Sequence, residues 1–431
     1  MEEHIHKHVD EDMLSVEDAL TSILQHFQKL PTTNKPILET LGYTLATDIY
    51  SSINLPPTPN SGMDGYAVIA NDVAGYTESN PITLKVIGTV PAGSVPTITV
   101  SHGTAVRIMT GASIPYGATA VVPFEETDEV SRLSNNVSLE EISINTKIPE
   151  GANIRAAAED VKIGDLILES NISIRQQEIA VLASLGLSHA EVIRKPVVGV
   201  ISTGDELTEL GQNLGHSKIY DSNSYGLCAA IQASGGIAKR IGIAEDTLED
   251  LEKAINACYD CDLILTSAGV SKGDYDFVKE VLTKNGEMNF WSVRMRPAKP
   301  LAFGIINIKG TTIPLIGLPG NPVSALVAFE MFGRPSILKM RGKQKLNRTI
   351  VSGTLNGTIH NFDGRRVYAR VVVSESNSGF IATPTGPQGS NILTSMSKSN
   401  GLAICPENET SKQNGDTVKI IMTDWNEEVT E

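Results

Sequence analysis

The run Leu263-Ile264-Leu265-Thr266-Ser267-Ala268-Gly269-Val270-Ser271-Lys272-Gly273-Asp274-Tyr275-Asp276 decides how the rest of the chain is read. An apolar segment of strand length stops at small residues, two glycines and a lysine follow, and a helical pattern begins near Tyr275 and reaches Lys284. Strand, loop and helix in that order suit an oxyanion guest. Glycines admit close approach of the backbone, and the N–H groups at a helix start carry positive partial charge. Asp274 and Asp276 beside such an anion call for a divalent cation between the charges. The competing reading is a tight turn capped by Asp274.

On either side of this run, apolar strands alternate with helices. Strands are expected at 197–202, 237–243, 262–267, 290–294, 301–306 and 313–318, and helices at 223–234, 248–259, 275–284 and 322–338. Alternation of this kind implies a doubly wound, mostly parallel sheet covered on both faces, with ligands beyond the carboxyl ends of its strands. Charged and small residues gather at those ends: Thr203-Gly204-Asp205-Glu206, Glu245-Asp246, the glycine loop, Arg294 to Lys299, and Pro319-Gly320-Asn321-Pro322. Asn321 is placed as a helix cap with Pro322 at the first helical position. Carboxylates there suit Mg²⁺, while Lys272, Arg294, Arg296 and Lys299 suit phosphate or another oxyanion. Neither G-x-G-x-x-G nor G-x-x-x-x-G-K-[ST] occurs, which argues against a dinucleotide enzyme or a P-loop NTPase.

Outside this domain the patterning changes. An apolar helical stripe runs from Leu14 to Leu30, with Ser15 as its cap. The segment Pro56 to Val68 holds Met63-Asp64 between Gly62 and Gly65 on a proline-stiffened loop, so Asp64 is either a turn residue or a presented carboxylate. Short β-like runs at 82–88, 105–109, 120–124 and 137–144 indicate a small inserted β module, and 173–185 reads as a helix expected to pack on the first one. Runs at 349–355, 366–373, 380–383, 402–405 and 417–422 indicate a C-terminal small β barrel. The expected domains are 9–57 with 148–190, 58–147, 191–340 and 341–426. In the barrel, Gly364-Arg365-Arg366 and Gln388-Gly389-Ser390 read as hairpin turns that can also reach a ligand.

With 431 residues the chain exceeds a single core, and its net charge of −15 argues against a nucleic-acid partner. No uncharged apolar run is long enough to span a bilayer, and the first residues lack an apolar signal region, so no membrane association and a cytoplasmic location are expected. Cys258-Tyr259-Asp260-Cys261 has C-x-x-C spacing without a second pair or a nearby histidine, so burial is favoured over metal or redox use. The His4, His6, His8 tract is read as a frayed terminus.

Six segments carry a resemblance. Asn60-Ser61-Gly62-Met63-Asp64-Gly65-Tyr66-Ala67, Arg107-Ile108-Met109-Thr110-Gly111-Ala112, Ser202-Thr203-Gly204-Asp205-Glu206-Leu207, Ile219-Tyr220-Asp221-Ser222-Asn223, the 266–276 loop and Leu318–Ala325 together resemble the molybdopterin molybdenumtransferase family of MoeA and the gephyrin E domain. The motifs stand in order across nearly the whole chain. The resemblance implies multidomain α/β plus β subunits, with a central molybdopterin-binding α/β domain, forming a homodimer whose sites are shared between subunits. It implies insertion of molybdate into adenylylated molybdopterin with Mg²⁺-dependent release of AMP, the pterin being handed on by a molybdopterin adenylyltransferase as possible donor.

Carried over by motif, the resemblance assigns catalytic roles to Asp64, Glu206, Asp246, Asp276, Arg296 and Lys299. It assigns substrate binding to Thr110, Asp160, Thr203, Gly204, Ser267, Gly269, Ser271, Gly273, Pro319, Asn321 and Pro322, and Mg²⁺ to Asp246, Asp274 and Asp276. The chain departs from the family at Ala268, where a second glycine is usual, at Arg296-Pro297-Ala298-Lys299, where Lys-Pro-Gly-Lys is usual, and at Asn391, where glycine closes Gln-Gly-Ser-Gly. Arginine for lysine changes a point donor into a planar fork, which bears on the choice of oxyanion. The alternatives are a tungstate-inserting homologue, a molybdopterin adenylyltransferase and a non-catalytic, peptide-binding scaffold like gephyrin.

Overall fold

The computed structural model describes residues 13–268, 286–377 and 379–425. Gly269, Ser271, Lys272, Gly273, Asp274, Asp276, the helix expected at 275–284 and the His4, His6, His8 tract lie outside the described residues. The chain divides into two compact units: residues 1–46, 171–179 and 189–431 form one, and residues 47–170 with 180–188 form the other.

In the first unit a six-stranded sheet has the spatial order Ile237–Ala244, Val197–Thr203, Leu263–Ser267, Thr311–Leu318, Pro300–Ile308, Gly286–Ser292. The first four strands are parallel; the last two run as an antiparallel meander. Lys309 and Gly310 explain the reversal. Both adopt positive φ, 51° and 84°, the backbone of a tight two-residue hairpin between Ile308 and Thr311.

Strand residues alternate between two cores, as the pleat requires. Val198, Val200 and Leu265 join Leu227, Ile231, Phe329 and Phe332 on one face, while Ile201 and Ile264 join Leu251, Ile255, Cys258 and Cys261 on the other. The two cysteines are therefore free, buried core residues. Because Ile237–Ala244, the next strand of this sheet in chain order, pairs on one side of Val197–Thr203 and Leu263–Ser267 on the other, the winding reverses between Val197–Thr203 and Leu263–Ser267. Crevices for ligands open at the carboxyl ends of such a pair.

The N-terminal helix spans Val16–Leu24, with Ser15 Oγ accepting from Asp18 N at 3.0 Å. It ends earlier than its apolar stripe because His26 and Phe27 bond back to Ile23 and Leu24 in a tightened last turn. Val16, Ala19, Ile23 and Phe27 enter the core that contains Phe329, Phe332 and Ile337, so the helix packs on Phe329–Gly333 and Arg334–Met340 rather than on the later helix Gln176–Ser184. An apolar stripe specifies burial, not its partner.

The C-terminal strands close into a barrel in the order Arg366–Ser376, Gly379–Pro384, Ile350–Leu355, Thr417–Met422, Gly401–Cys405 and back to Arg366–Ser376. A short strand, Met295–Arg296, adds in parallel to its first strand, pairing Met295 with Arg366 and Arg296 with Val367.

The second unit centres on a five-stranded sheet ordered Ala120–Pro123, Gly65–Val68, Thr104–Ile108, Ile82–Val90, Glu141–Ile144. The strand expected from Val137 starts only at Glu141, because Glu129–Ser134 forms a helix and Val137 N bonds back to Arg132 O at 2.8 Å. No helix among the described residues is long and apolar enough to cross a membrane.

Candidate active site

The carboxyl ends of the central strands open into a cleft of about 860 Å³. Thr203 and Glu206 line it from the first strand, Ser267 and Ala268 from the third, Pro319, Asn321 and Pro322 from the turn after Leu318, and Arg296 and Lys299 from the segment before Pro300. The structure brings the expected residues Thr203, Glu206, Ser267, Arg296, Lys299, Pro319, Asn321 and Pro322 to one cleft. Gly204 stands at φ 140°, and a Cβ there would lie 2.5 Å from the Glu206 carboxylate, so the glycine lets Glu206 fold back over the strand end. Pro322 starts the helix Pro322–Ala328, but Asn321 makes no side-chain cap bond, contrary to expectation, and its amide is available to the cleft.

A buried carboxylate holds this edge together. Asp221 is fully buried at the start of the helix Ser222–Ala233; it accepts from Ser202 Oγ at 2.9 Å, Ser224 Oγ at 2.5 Å, Ser224 N at 3.1 Å and Arg240 Nη2 at 3.1 Å. Burial pushes its carboxyl up, but these donors outweigh burial and hold it below the ordinary range. Asn223, two residues on, donates from Nδ2 to Ser267 Oγ and to Gly320 O, both at 2.7 Å. The helix start thereby fixes the ends of two neighbouring strands.

Asp246 is not among the cleft-lining residues. It follows the adjacent strand Ile237–Ala244 and exchanges bonds with the Asp205 loop: Asp246 N donates to Asp205 Oδ1 at 3.1 Å, and Asp205 N to Asp246 Oδ2 at 3.4 Å. Two adjacent carboxylates with only oxygen donors match what Mg²⁺ takes, since that ion is commonly held by one or two carboxylates and completed by phosphate and water. No cluster of three or more metal-ligating side chains occurs among the described residues.

The barrel contributes Arg365, Gln388 and Ser390, from the turns expected to be able to reach a ligand, and beside them Asn391; all four line the cleft, as does Ser324 from the helix. Parallel pairing of Met295–Arg296 with the barrel strand brings the two segments together. Arg365 Nε donates to Asp363 Oδ2 at 2.9 Å, Arg296 Nη1 lies 3.8 Å from that oxygen, and Arg296 Nη2 donates to His360 O at 2.7 Å. Arg294, by contrast, is not brought to the cleft; its Nη2 reaches Met13 O at 3.4 Å. The pairing of a two-residue strand with a distant barrel carries no sequence signal. Arginine and glutamine beside glycine in a turn were the only hint.

In the second unit Asp64 is exposed and accepts from Thr110 N at 2.6 Å and Thr110 Oγ1 at 2.8 Å. The Thr110 backbone and hydroxyl bonds hold its carboxyl below the usual range. Two of the expected residues are thus in contact. Gly65 is obligatory here, since a Cβ would lie 2.0 Å from Val122 O. Arg107 braces the motif by donating to Gly65 O at 3.3 Å and to Glu129 Oε1 at 3.0 Å. Asp160 is exposed, with its N–H on Leu55 O at 3.0 Å.

The fold and the cleft define a multidomain α/β plus β protein built around a molybdopterin-binding type of domain, and the sequence matches agree. Residues 14–186 match the MoeA N-terminal region (domain I and II), 199–339 a probable molybdopterin binding domain, and 353–422 the MoeA C-terminal region (domain IV). The chain is 35% identical over 420 residues to the molybdopterin molybdenumtransferase of Haemophilus influenzae, covering 95% of this chain and 98% of that one. It is also 35% identical over 379 residues to molybdopterin molybdenumtransferase 2 of Mycobacterium tuberculosis, covering 86% and 90%. A solved molybdopterin biosynthesis MoeA protein from Pyrococcus horikosii superposes with a TM-score of 0.78 at 32% identity, over 96% of this chain and 99% of that one. The chain belongs to the molybdopterin molybdenumtransferase family and is a transferase of molybdenum cofactor biosynthesis.

Proposed function

We propose that this chain inserts molybdate into the dithiolene of adenylylated molybdopterin, releasing AMP and molybdenum cofactor. The observation that carries the reading is the convergence of Arg296, Lys299 and Arg365 with Glu206, Thr203 and Ser267 in one cleft at the reversal point of the sheet. Cations there attract the oxyanion, and strand-end hydroxyls orient it. Of the carboxylates lining the cleft, Asp221 is buried and fully bonded, so proton movement is assigned to the exposed Glu206.

Mg²⁺ would be held by Asp246 and Asp205, with Asp274 and Asp276 as further ligands, and would neutralise charge on the pyrophosphate linkage as it is cleaved. Asp64, which accepts two bonds from Thr110, is proposed as a catalytic carboxylate and Asp160 as a substrate-binding one, as the family motifs imply. The working unit is a homodimer in the cytoplasm with sites shared between subunits, and a molybdopterin adenylyltransferase is its donor.

The test supplies the purified protein with adenylylated molybdopterin, Mg²⁺ and either molybdate or tungstate, and follows AMP. AMP release that depends on oxyanion and is lost in Asp64→Ala supports the reading. In a parallel assay with molybdopterin and ATP, release of pyrophosphate would instead identify an adenylyltransferase, and in the first assay turnover with tungstate alone a tungstate enzyme.

A further inference from the structure

Arg370 sits in the barrel strand Arg366–Ser376, only 1% exposed, between the buried apolar residues Ala369 and Val371. A buried guanidinium is normally answered by a carboxylate. Every hydrogen bond from this guanidinium goes to a neutral oxygen: Nε to Ser395 Oγ at 3.0 Å, Nη1 to Gln388 O at 3.1 Å, and Nη2 to Gly389 O at 3.0 Å and Pro387 O at 3.4 Å. Burial lowers its pKa to about 10, so it keeps its charge at neutral pH. The Gln388 side chain closes the arrangement by accepting from Arg370 N at 2.8 Å and donating to Arg370 O at 3.2 Å. A residue needed only to fill the barrel would be aliphatic.

Peptide geometry gives the consequence. Across a trans peptide the C=O and the following N–H point in opposite directions. Carbonyls of Pro387, Gln388 and Gly389 turned toward Arg370 therefore turn the N–H groups of Gln388, Gly389 and Ser390 away from it. None of these three donates a hydrogen bond to a described residue, and Gln388 and Ser390 line the cleft. Successive N–H groups pointing one way form an anion-binding concavity.

We propose that Arg370 is a positioning residue, holding the 387–390 turn so that its backbone N–H groups face a tetrahedral oxyanion of the substrate. The inference rests on the reading of the cleft given above. The oxyanion belongs to molybdate or to a phosphate of the nucleotide-linked pterin, and the test separates the two.

Full-length wild type, Arg370→Met, Arg370→Lys and Ser395→Ala are compared for binding of molybdate and of inorganic pyrophosphate by calorimetry, for Tm, and for KM and kcat with molybdate. Arg370→Met should weaken oxyanion binding about tenfold or more, the scale of losing one charge-assisted arrangement. KM should rise with it, while kcat stays within about threefold, since the turn binds rather than reacts. Loss in the molybdate arm alone assigns the turn to the metal oxyanion, and loss in the pyrophosphate arm alone to the pterin phosphates. Arg370→Lys, which keeps charge but not the fork, should recover only part. Ser395→Ala, which frees Nε but leaves the turn bonded, should lower Tm without moving affinity.

Unchanged binding of both anions in a folded Arg370→Met overturns the proposal, as does a loss in Ser395→Ala equal to that in Arg370→Met. If Arg370→Met does not fold, undiminished binding in Arg370→Lys overturns it. Wild type binding neither anion would overturn the reading of the cleft instead.

Discussion

Ala268 and Ala298 line the same cleft, and both hold a left-handed backbone, at φ 83° and 73°. Both positions are usually glycine in the family this chain resembles. A side chain in that conformation crowds its own carbonyl, at roughly 1–2 kcal/mol per residue, partly offset because glycine orders at greater entropic cost. Ala268→Gly and Ala298→Gly should each raise stability by up to about 1 kcal/mol in urea unfolding. Gly320→Ala should do the opposite, since its Cβ would lie 3.2 Å from Ala268 Cβ, with a loss of about 1 kcal/mol or more.

At the edge of the cleft the buried Asp221 pairs at 3.1 Å with Arg240, whose guanidinium is partly exposed and also bonds Glu209 at 2.7 Å. Asp221→Ala strips Ser202 and Ser224 of their shared acceptor, while Arg240 keeps Glu209, and should destabilise by about 2 kcal/mol. Because Asn223 is anchored by the same helix start, molybdate affinity should fall along with Tm, and parallel calorimetry would check both.

Asp205 and Asp246 are proposed to share Mg²⁺. Asp246→Asn keeps the shape of the side chain while removing its charge, so the Mg²⁺ concentration giving half-maximal AMP release should rise about tenfold or more. An unchanged Mg²⁺ dependence would count against that assignment.

Much of this arrangement was legible from residues alone. Thr203, Ser267, Pro319 and Arg296 could be placed together because apolar strands with charged ends announce a doubly wound sheet. Three things escaped. The antiparallel meander was hidden because strands 300–308 and 311–318 read as ordinary apolar runs, although Lys309-Gly310 was the hairpin signal. The periodicity of Val16–Leu24 identifies a buried face without naming what covers it, so the expected packing on 173–185 gives way to packing on Phe329–Gly333 and Arg334–Met340. For Arg365, Gln388 and Ser390 the sequence does not decide between a plain turn and a ligand contact, and Asn391 carries no signal for the cleft, because a contact between barrel and sheet depends on packing far apart in the chain.

Lys343 offers a pH test. Burial, and then the neighbouring Arg341 charge, lower its pKa from the usual lysine range to about 8. The unfolded chain therefore binds more protons between about pH 8 and 10.5, and stability should rise with pH across that window as the buried amine sheds its charge. Lys343→Met should flatten this rise and stabilise the protein near pH 7 by about 1 kcal/mol, discounted because the amine still reaches solvent and loses its 2.8 Å bond to Ser173 Oγ. Urea midpoints at pH 7 and pH 10 would measure it.

The cationic cleft belongs to a molecule carrying a net charge of −15. A dianion diffusing in from bulk is repelled at long range and captured only once Arg296, Lys299 and Arg365 dominate the local field, within about one Debye length, ~8–10 Å at ordinary ionic strength. Added salt then pulls in two directions, quickening encounter while loosening the final hold, so the rate of capture and the lifetime of the complex shift oppositely. Such a protein is served better by receiving its charged substrates at close quarters than by collecting them from dilute solution.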